Sequence, residues 1–230
     1  MINLIKCHYS YLVSKTTVLM ISIVLIIHLF SCFMIGYDCI DFSWQSQANQ
    51  YYLESNLFFI KTTGIFIVVF LFSYSFITKQ DNYCTLIITS NISRSKYFIT
   101  KIITISLFLL GFLWIEVFIF IVIGGLYYPH VILEPDFLFL FIQLYLLMIY
   151  YGLFALVLIQ CFDNIYMSII PFAFYTIASI FQDEKDNFFI FKIVLPTIST
   201  AESRGNYYQI LFLMIILFFI NSIIYQKRDF

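Results

Sequence analysis

The chain has 230 residues, of which 62% are hydrophobic and only 11% charged, against roughly 45–50% and about 25% in a soluble domain. So few charges cannot cover a water-soluble surface of this size, and lipid must be the solvent for most of the chain. A formal net charge of −1 lacks the basic excess of a nucleic-acid binder. Cys7, Cys32, Cys39, Cys84 and Cys161 show no C-x-x-C spacing and outline neither a zinc ribbon nor a disulfide framework. Abundant Phe and Tyr beside few Gly is the bias of an AT-rich coding genome, as in a low-GC bacterium.

Residues 2–15 place Ile2, Ile5, Tyr9, Leu12 and Val13 at three- and four-residue steps, with Asn3, Lys6, Ser10 and Ser14 elsewhere. That pattern predicts an amphipathic helix lying in the cytoplasmic interface, Lys6 and Lys15 near the headgroups. The plainer alternative is a positive-inside anchor for the segment that follows. A spanning helix needs about 20 apolar residues, and the uncharged runs predict six. The first, 16–37, has too long an apolar run for a cleaved signal peptide and reads as a retained anchor. The second, 57–78, requires Lys61 to snorkel to the interface. The third, 102–123, carries Glu116 as its one acid, and the fourth is 137–162. The fifth, 164–182, is predicted to kink at Pro171, and the sixth is 205–226. The fold class is therefore an all-α polytopic membrane protein, a single domain over 1–230 with six transmembrane helices.

Orientation follows from the basic residues. With both termini cytoplasmic, the inner segments hold Lys6, Lys15, Lys79, Arg94, Lys96, Lys101, Lys227 and Arg228, and the outer ones only Lys61, Lys185, Lys192 and Arg204. Asp38, Asp41, Glu54, Glu134, Asp136, Asp183, Glu184, Asp186 and Glu202 all fall outside. Between spans two and three lies a cytoplasmic loop, 79–101, in which Tyr83, Leu86 and Ile87 stand at helical spacing. An apolar knob there must dock on something, either the bilayer surface or another protein. The outer segment 183–204 contains an apolar run, Phe188–Ile198, too short to span and so interfacial or re-entrant. Pro196 would end any helix within it.

The loop reads Asp81-Asn82-Tyr83-Cys84-Thr85, then Leu86-Ile87-Ile88, then Ser93-Arg94 and Lys101, and the chain ends Lys227-Arg228-Asp229-Phe230. This resembles the permease subunit of a type-2 ATP-binding-cassette (ABC) exporter of the bacterial peptide and antibiotic export group. In that family the loop often reads Glu-x-x-Gly-Thr, apolar residues, then Ser-Arg and Lys, and the tail is often basic-basic-Asp. Asp81 stands for the family's Glu and Cys84 for its Gly, which removes the residue for any tight turn there. The resemblance implies an interfacial N-terminal helix, six spans, a cytoplasmic coupling helix between spans two and three, and a re-entrant outer segment before the sixth. It also implies that Asp81, Tyr83, Cys84, Thr85, Leu86, Ile87 and Arg94 couple the chain to separate ATP-binding subunits. ATP and magnesium would be held there, since this chain has no GxxxxGK[ST] phosphate loop. A second copy or a homologous permease would complete a pathway for an amphipathic peptide or drug-like substrate, alternately open to each side.

Two ionisable residues inside spans are candidates for that pathway. Glu116 is costly at mid-bilayer and should face protein or water. It could meet a cationic part of a substrate, be protonated, pair with Lys61, or hydrogen-bond a Ser or Thr on a neighbouring span. His28 reads as a helix–helix hydrogen bond in preference to a proton relay. His130 and Glu134 lack a third partner, so no metal site is expected. Trp44, Tyr127, Tyr128, Tyr207 and Tyr208 fall where an interfacial aromatic belt belongs. An intramembrane enzyme is disfavoured, because no HExxH or Gly-x-Ser-x-Gly constellation is present. The remaining alternatives are a substrate-capture subunit of another transporter type and a regulatory or immunity membrane protein.

Overall fold

The computed structural model describes residues 2–41, 45–77, 92–127, 135–180, 195–196 and 205–227, and among them every regular element is helical. In chain order the α-helices are α1 (Ile2–Leu12), α2 (Lys15–Asp38), α3 (Gln45–Phe76), α4 (Arg94–Tyr127), α5 (Pro135–Phe162), α6 (Ile169–Ile180) and α7 (Gly205–Lys227). Five of them, α2, α3, α4, α5 and α7, are long and apolar enough to cross a membrane. Leu19, Ile26 and Phe30 on α2, Phe118 on α4 and Phe212 on α7 point outward. An apolar exterior of this extent belongs in lipid, and the chain is a membrane protein.

The helix boundaries have local causes. Ser14 caps α2, its extended backbone turning the chain and its side chain accepting from Thr17 N at 3.2 Å. Ser93 opens α4, where its carbonyl accepts from Tyr97 N at 3.0 Å. After α5 the chain reverses at Asp163, whose φ of 47° is left-handed and whose N–H returns to Ile159 O at 2.7 Å. Asn164 then caps a short 3-10 turn, Ile165–Ser168, by accepting from Tyr166 N at 3.0 Å.

α3 and α4 extend beyond the predicted spans. At 32 and 34 residues they are about 48 and 51 Å long, against a hydrocarbon core of about 30 Å. The polar stretch before residue 57 hid the first turns of α3, because helices that leave the bilayer need not stay apolar. The fifth predicted span is corrected in form. It is the 3-10 turn followed by the 12-residue α6, and Pro171 lies within the first helical turn. Its missing N–H has no intrahelical role there, so no mid-helix kink results.

α1 shows three faces. Leu4, His8 and Leu12 are buried, and α1 packs on α4. At about 100° per residue, Ile5, Tyr9 and Val13 form the adjacent face, on which Tyr9 and Val13 are exposed. Asn3, Lys6 and Ser10 complete a polar third. The predicted stripe is thus divided: Tyr9 and Val13 are left outside, while Leu12 joins Leu4 and His8 in the protein-facing row.

α5 is the central helix, packed against α3, α4, α6 and α7. Its approach to α3 is close at two glycines. A Cβ on Gly152 would lie 2.6 Å from Phe72 Cδ2 and 2.9 Å from Val68 Cγ2, and one on Gly64 would overlap the Met148 methyl. Small residues let two backbones approach where lipid supplies no hydrophobic drive for association. Between α6 and α7 the described residues are Leu195 and Pro196, both buried. Pro196 O accepts from the Tyr151 hydroxyl at 3.1 Å. Tyr151 lies about 24 Å along α5 from Pro135 and about 16 Å from Phe162 at 1.5 Å per residue, so this buried backbone meets α5 well away from either end of that helix.

Gly152→Leu is expected to lower stability by about 1–3 kcal/mol through overpacking. Gly111→Leu on α4, where an added Cβ meets nothing within 4 Å, should stay within about 0.5 kcal/mol. Unfolding midpoints in mixed micelles measure both, and equal midpoints would contradict the close α3–α5 contact.

Candidate functional site

α2 is attached to the body by a thin stripe. Its buried residues are Thr17, His28, Cys32 and Gly36, the last three at four-residue spacing, so one narrow edge of the helix faces α3 and α4. The facing edges have matching spacing. α3 presents Tyr52, Asn56 and Phe59, and α4 presents Glu116, Phe120 and Gly124.

Most of the polar groups in this seam are satisfied in sequence. The Cys32 thiol donates to Asn56 Oδ1 at 2.9 Å, and Asn56 Nδ2 donates to Tyr52 O at 2.8 Å. The Tyr52 hydroxyl donates to Phe120 O at 3.1 Å while its ring stacks on Phe120 at 5.1 Å. A Cβ on Gly124 would come within 3.0 Å of Tyr52 Cε1, so glycine leaves the space this ring occupies.

One turn inward the seam holds two ionisable groups. His28 Nδ1 lies 3.8 Å from Glu116 Oε1, and both side chains are 0% exposed. Neither ring nitrogen and neither carboxylate oxygen has a hydrogen-bond partner. The imidazole stacks flat on Phe59, with centroids 5.1 Å apart and 11° between planes. His28 therefore does not make the helix–helix hydrogen bond expected of it, and Glu116 meets His28 in place of Lys61. The two candidates flagged separately in the sequence are brought together here.

Among the described residues no group of three or more His, Cys, Asp or Glu is placed to hold a metal ion. His130 and Glu134 lie outside the described residues, as do Asp81, Tyr83, Cys84, Thr85, Leu86 and Ile87. Arg94, the remaining residue assigned to coupling, begins α4 and donates from Nη1 to Gln226 O at 2.9 Å. It thereby satisfies a carbonyl at the C-terminal end of α7, where a cation is also favoured by the helix dipole. Gln226 Nε2 returns a bond to Ser95 Oγ at 3.1 Å.

A second feature had no sequence signature. Where α3 ends and α4 begins, beside the C-terminal end of α7, the Tyr225 ring lies 5.0 Å from Phe98, 5.9 Å from Phe76 and 6.5 Å from Tyr97. His8 of α1 meets Tyr97 edge-on at 4.8 Å. Lys101 is buried over this cluster, its Nζ 4.6 Å from the Phe76 centroid and 5.0 Å from that of Tyr97, a cation–π arrangement. Four helices meet there, and the aromatic residues are too far apart in sequence for any periodicity to reveal the meeting.

No protein-family model, curated protein or solved structure matches this chain.

Asn56→Leu removes the thiol's acceptor and should weaken the attachment of α2 by about 1–3 kcal/mol. Labelling of Cys32 by a lipid-permeant maleimide is expected to accelerate in that variant, while labelling of the exposed Cys7 is unchanged. Unaltered Cys32 reactivity would show that Asn56 does not hold the seam.

Proposed function

We propose that this chain is the membrane-spanning permease subunit of an ABC exporter in a bacterial cell membrane. In this reading it has six spans with both termini cytoplasmic, and it pairs with itself or a relative and with separate ATP-binding subunits. Its substrate is an amphipathic peptide or antibiotic-like molecule, and the chain is not itself an enzyme. The observation that carries the reading is the buried Leu195–Pro196 backbone, held by the Tyr151 hydroxyl deep along α5 between α6 and α7. A short outer segment that dips back before the last span is the feature this architecture needs, and a simple six-helix bundle does not.

The cytoplasmic end supplies a route for coupling. Phe76 ends α3 ahead of Asp81, Tyr83, Cys84, Thr85, Leu86 and Ile87, and Tyr97 and Phe98 lie in the first turns of α4 that follow them. All three rings contact Tyr225 of α7. Displacement of the segment between α3 and α4 by closure of an ATP-binding subunit would be delivered to α3, α4 and α7 together, because packed rings transmit strain where single flexible contacts dissipate it.

The full-length tagged chain, solubilised from native membranes, should recover an ATP-binding subunit. Leu86→Asp together with Ile87→Asp should reduce that recovery more than tenfold, as expected for charges placed in the apolar centre of a contact, with helix content unchanged by circular dichroism. Unchanged recovery would move the docking surface elsewhere on the chain. Failure of the wild-type chain to recover any such subunit would overturn the reading and favour a substrate-capture or immunity protein.

A further inference from the structure

The His28–Glu116 contact is unusual in what surrounds it. Two side chains able to ionise are fully buried, 3.8 Å apart, with all four of their polar atoms lacking hydrogen bonds. Buried polar groups are nearly always satisfied, so an unsatisfied pair of this kind marks a place for a ligand. The separation limits what the ligand can be. A water or ammonium bridging the two would need about 2.8 Å to each partner, or about 4.5 Å between them at a tetrahedral angle. A direct hydrogen bond needs closure of only about 1 Å, within the reach of side-chain adjustment. No third ligating side chain is placed for a metal among the described residues.

The geometry points to a buried proton-binding centre: His28 and Glu116 together hold a single proton, whose hydrogen bond joins α2 to α4. With the proton the pair is electrically neutral overall. Without it, a lone carboxylate would sit fully buried with no donor from the protein, which low-dielectric surroundings strongly disfavour. The groups packed around the pair do not compensate. From α2 the nearest titratable neighbour is Cys32, whose thiol is committed to Asn56, and from α3 it is Tyr52, whose hydroxyl is committed to Phe120 O. Lys61 lies two residues beyond Phe59, on the opposite side of α3 at about 100° per residue. From α4 the adjoining residues of the stripe are Phe120 and Gly124. The proton comes from bulk water and returns to it when the seam opens, so the centre makes the docking of α2 sensitive to proton supply. The inference does not depend on the transport reading.

The test uses the full chain in an ester-free detergent at about pH 8, where exposed carboxyls are ionised and exposed imidazoles neutral. Infrared spectroscopy reads the carboxylic-acid C=O stretch, and nitrogen NMR of labelled histidine reads an imidazolium. We expect one of these signals, corresponding to about one proton per chain, with loss of a carboxyl band in Glu116→Gln and of an imidazolium in His28→Asn. An ionised Glu116 with a neutral His28, giving neither signal, overturns the proposal, as does a signal unchanged in both variants. Should either variant fail to fold, Glu116→Asp, which must shift the carboxyl band, and His8→Gln, which must leave the imidazolium in place, assign the signal, since His8 is also buried.

Discussion

Hydrocarbon offers no hydrogen bond, and that constraint decides where the polar side chains of this protein go. The short ones stay on their own helix. Thr63, Ser73, Thr100 and Thr104 each donate to the carbonyl four residues earlier. The long ones cross to a neighbour. Tyr52 of α3 and Tyr145 of α5 reach carbonyls of α4, Phe120 O and Ser106 O, and Asn221 of α7 reaches Leu153 O of α5. Tyr151 of α5 reaches Pro196 O. Such bonds average about 0.6 kcal/mol in a membrane protein, so individually they are weak. Their value is positional: each fixes the rotation of one helix against the next, where apolar side chains alone would be content with lipid.

Packing adds a second hold on α3 and α5, two of the helices that the polar joints engage. α3 and α5 approach through Gly64 and Gly152, with Met148, Phe72 and Val68 filling the space the missing Cβ atoms leave. That contact forms the rigid centre. α2, by contrast, buries only Thr17, His28, Cys32 and Gly36, and three of those four carry a polar side chain. Met20, Ile21, Val24 and Leu25 of α2 pack on the core only partly buried, so changing its polar groups loosens a helix with little fully buried apolar contact, whereas α3 and α5 can separate only by opening a cavity between them.

The sequence made the spans legible because charges and caps punctuate them. The predicted borders of the first and last spans, 16–37 and 205–226, differ by no more than a residue at each end from Lys15–Asp38 and Gly205–Lys227. Where polarity and helicity part company the reading failed. The start of α3 is polar yet helical from Gln45, and the fifth apolar run contains a 3-10 turn and a short helix in place of one long helix. On α1 the predicted apolar row divides between two faces. Leu4 and Leu12 face protein beside His8, while Tyr9 and Val13 remain outside, and periodicity cannot tell a lipid face from a protein face because both are apolar. For the site, Glu116 and His28 each stood out as an ionisable group in an apolar run. Their pairing required the fold, since it depends on which edges of α2 and α4 meet.

α4 connects the two polar regions of the molecule. Tyr97, near its N-terminal end, takes part in the aromatic cluster with His8, Lys101 and Tyr225. Glu116 stands on the same helix, about 28 Å further along at 1.5 Å per residue. An uninterrupted helix carries rotation or translation along its length, because every turn is tied to the next by backbone hydrogen bonds that cost more to break than the helix costs to move. A shift at Tyr97 must therefore appear at Glu116 unless α4 bends, and α4 contains no proline to supply the usual cause of bending. The distance of 3.8 Å between His28 and Glu116 is sensitive to such a shift. About 1 Å of approach makes a hydrogen bond and about 1 Å of retreat admits water. The separation of His28 from Glu116 and the position of the aromatic cluster are in this way two readings of the placement of one helix.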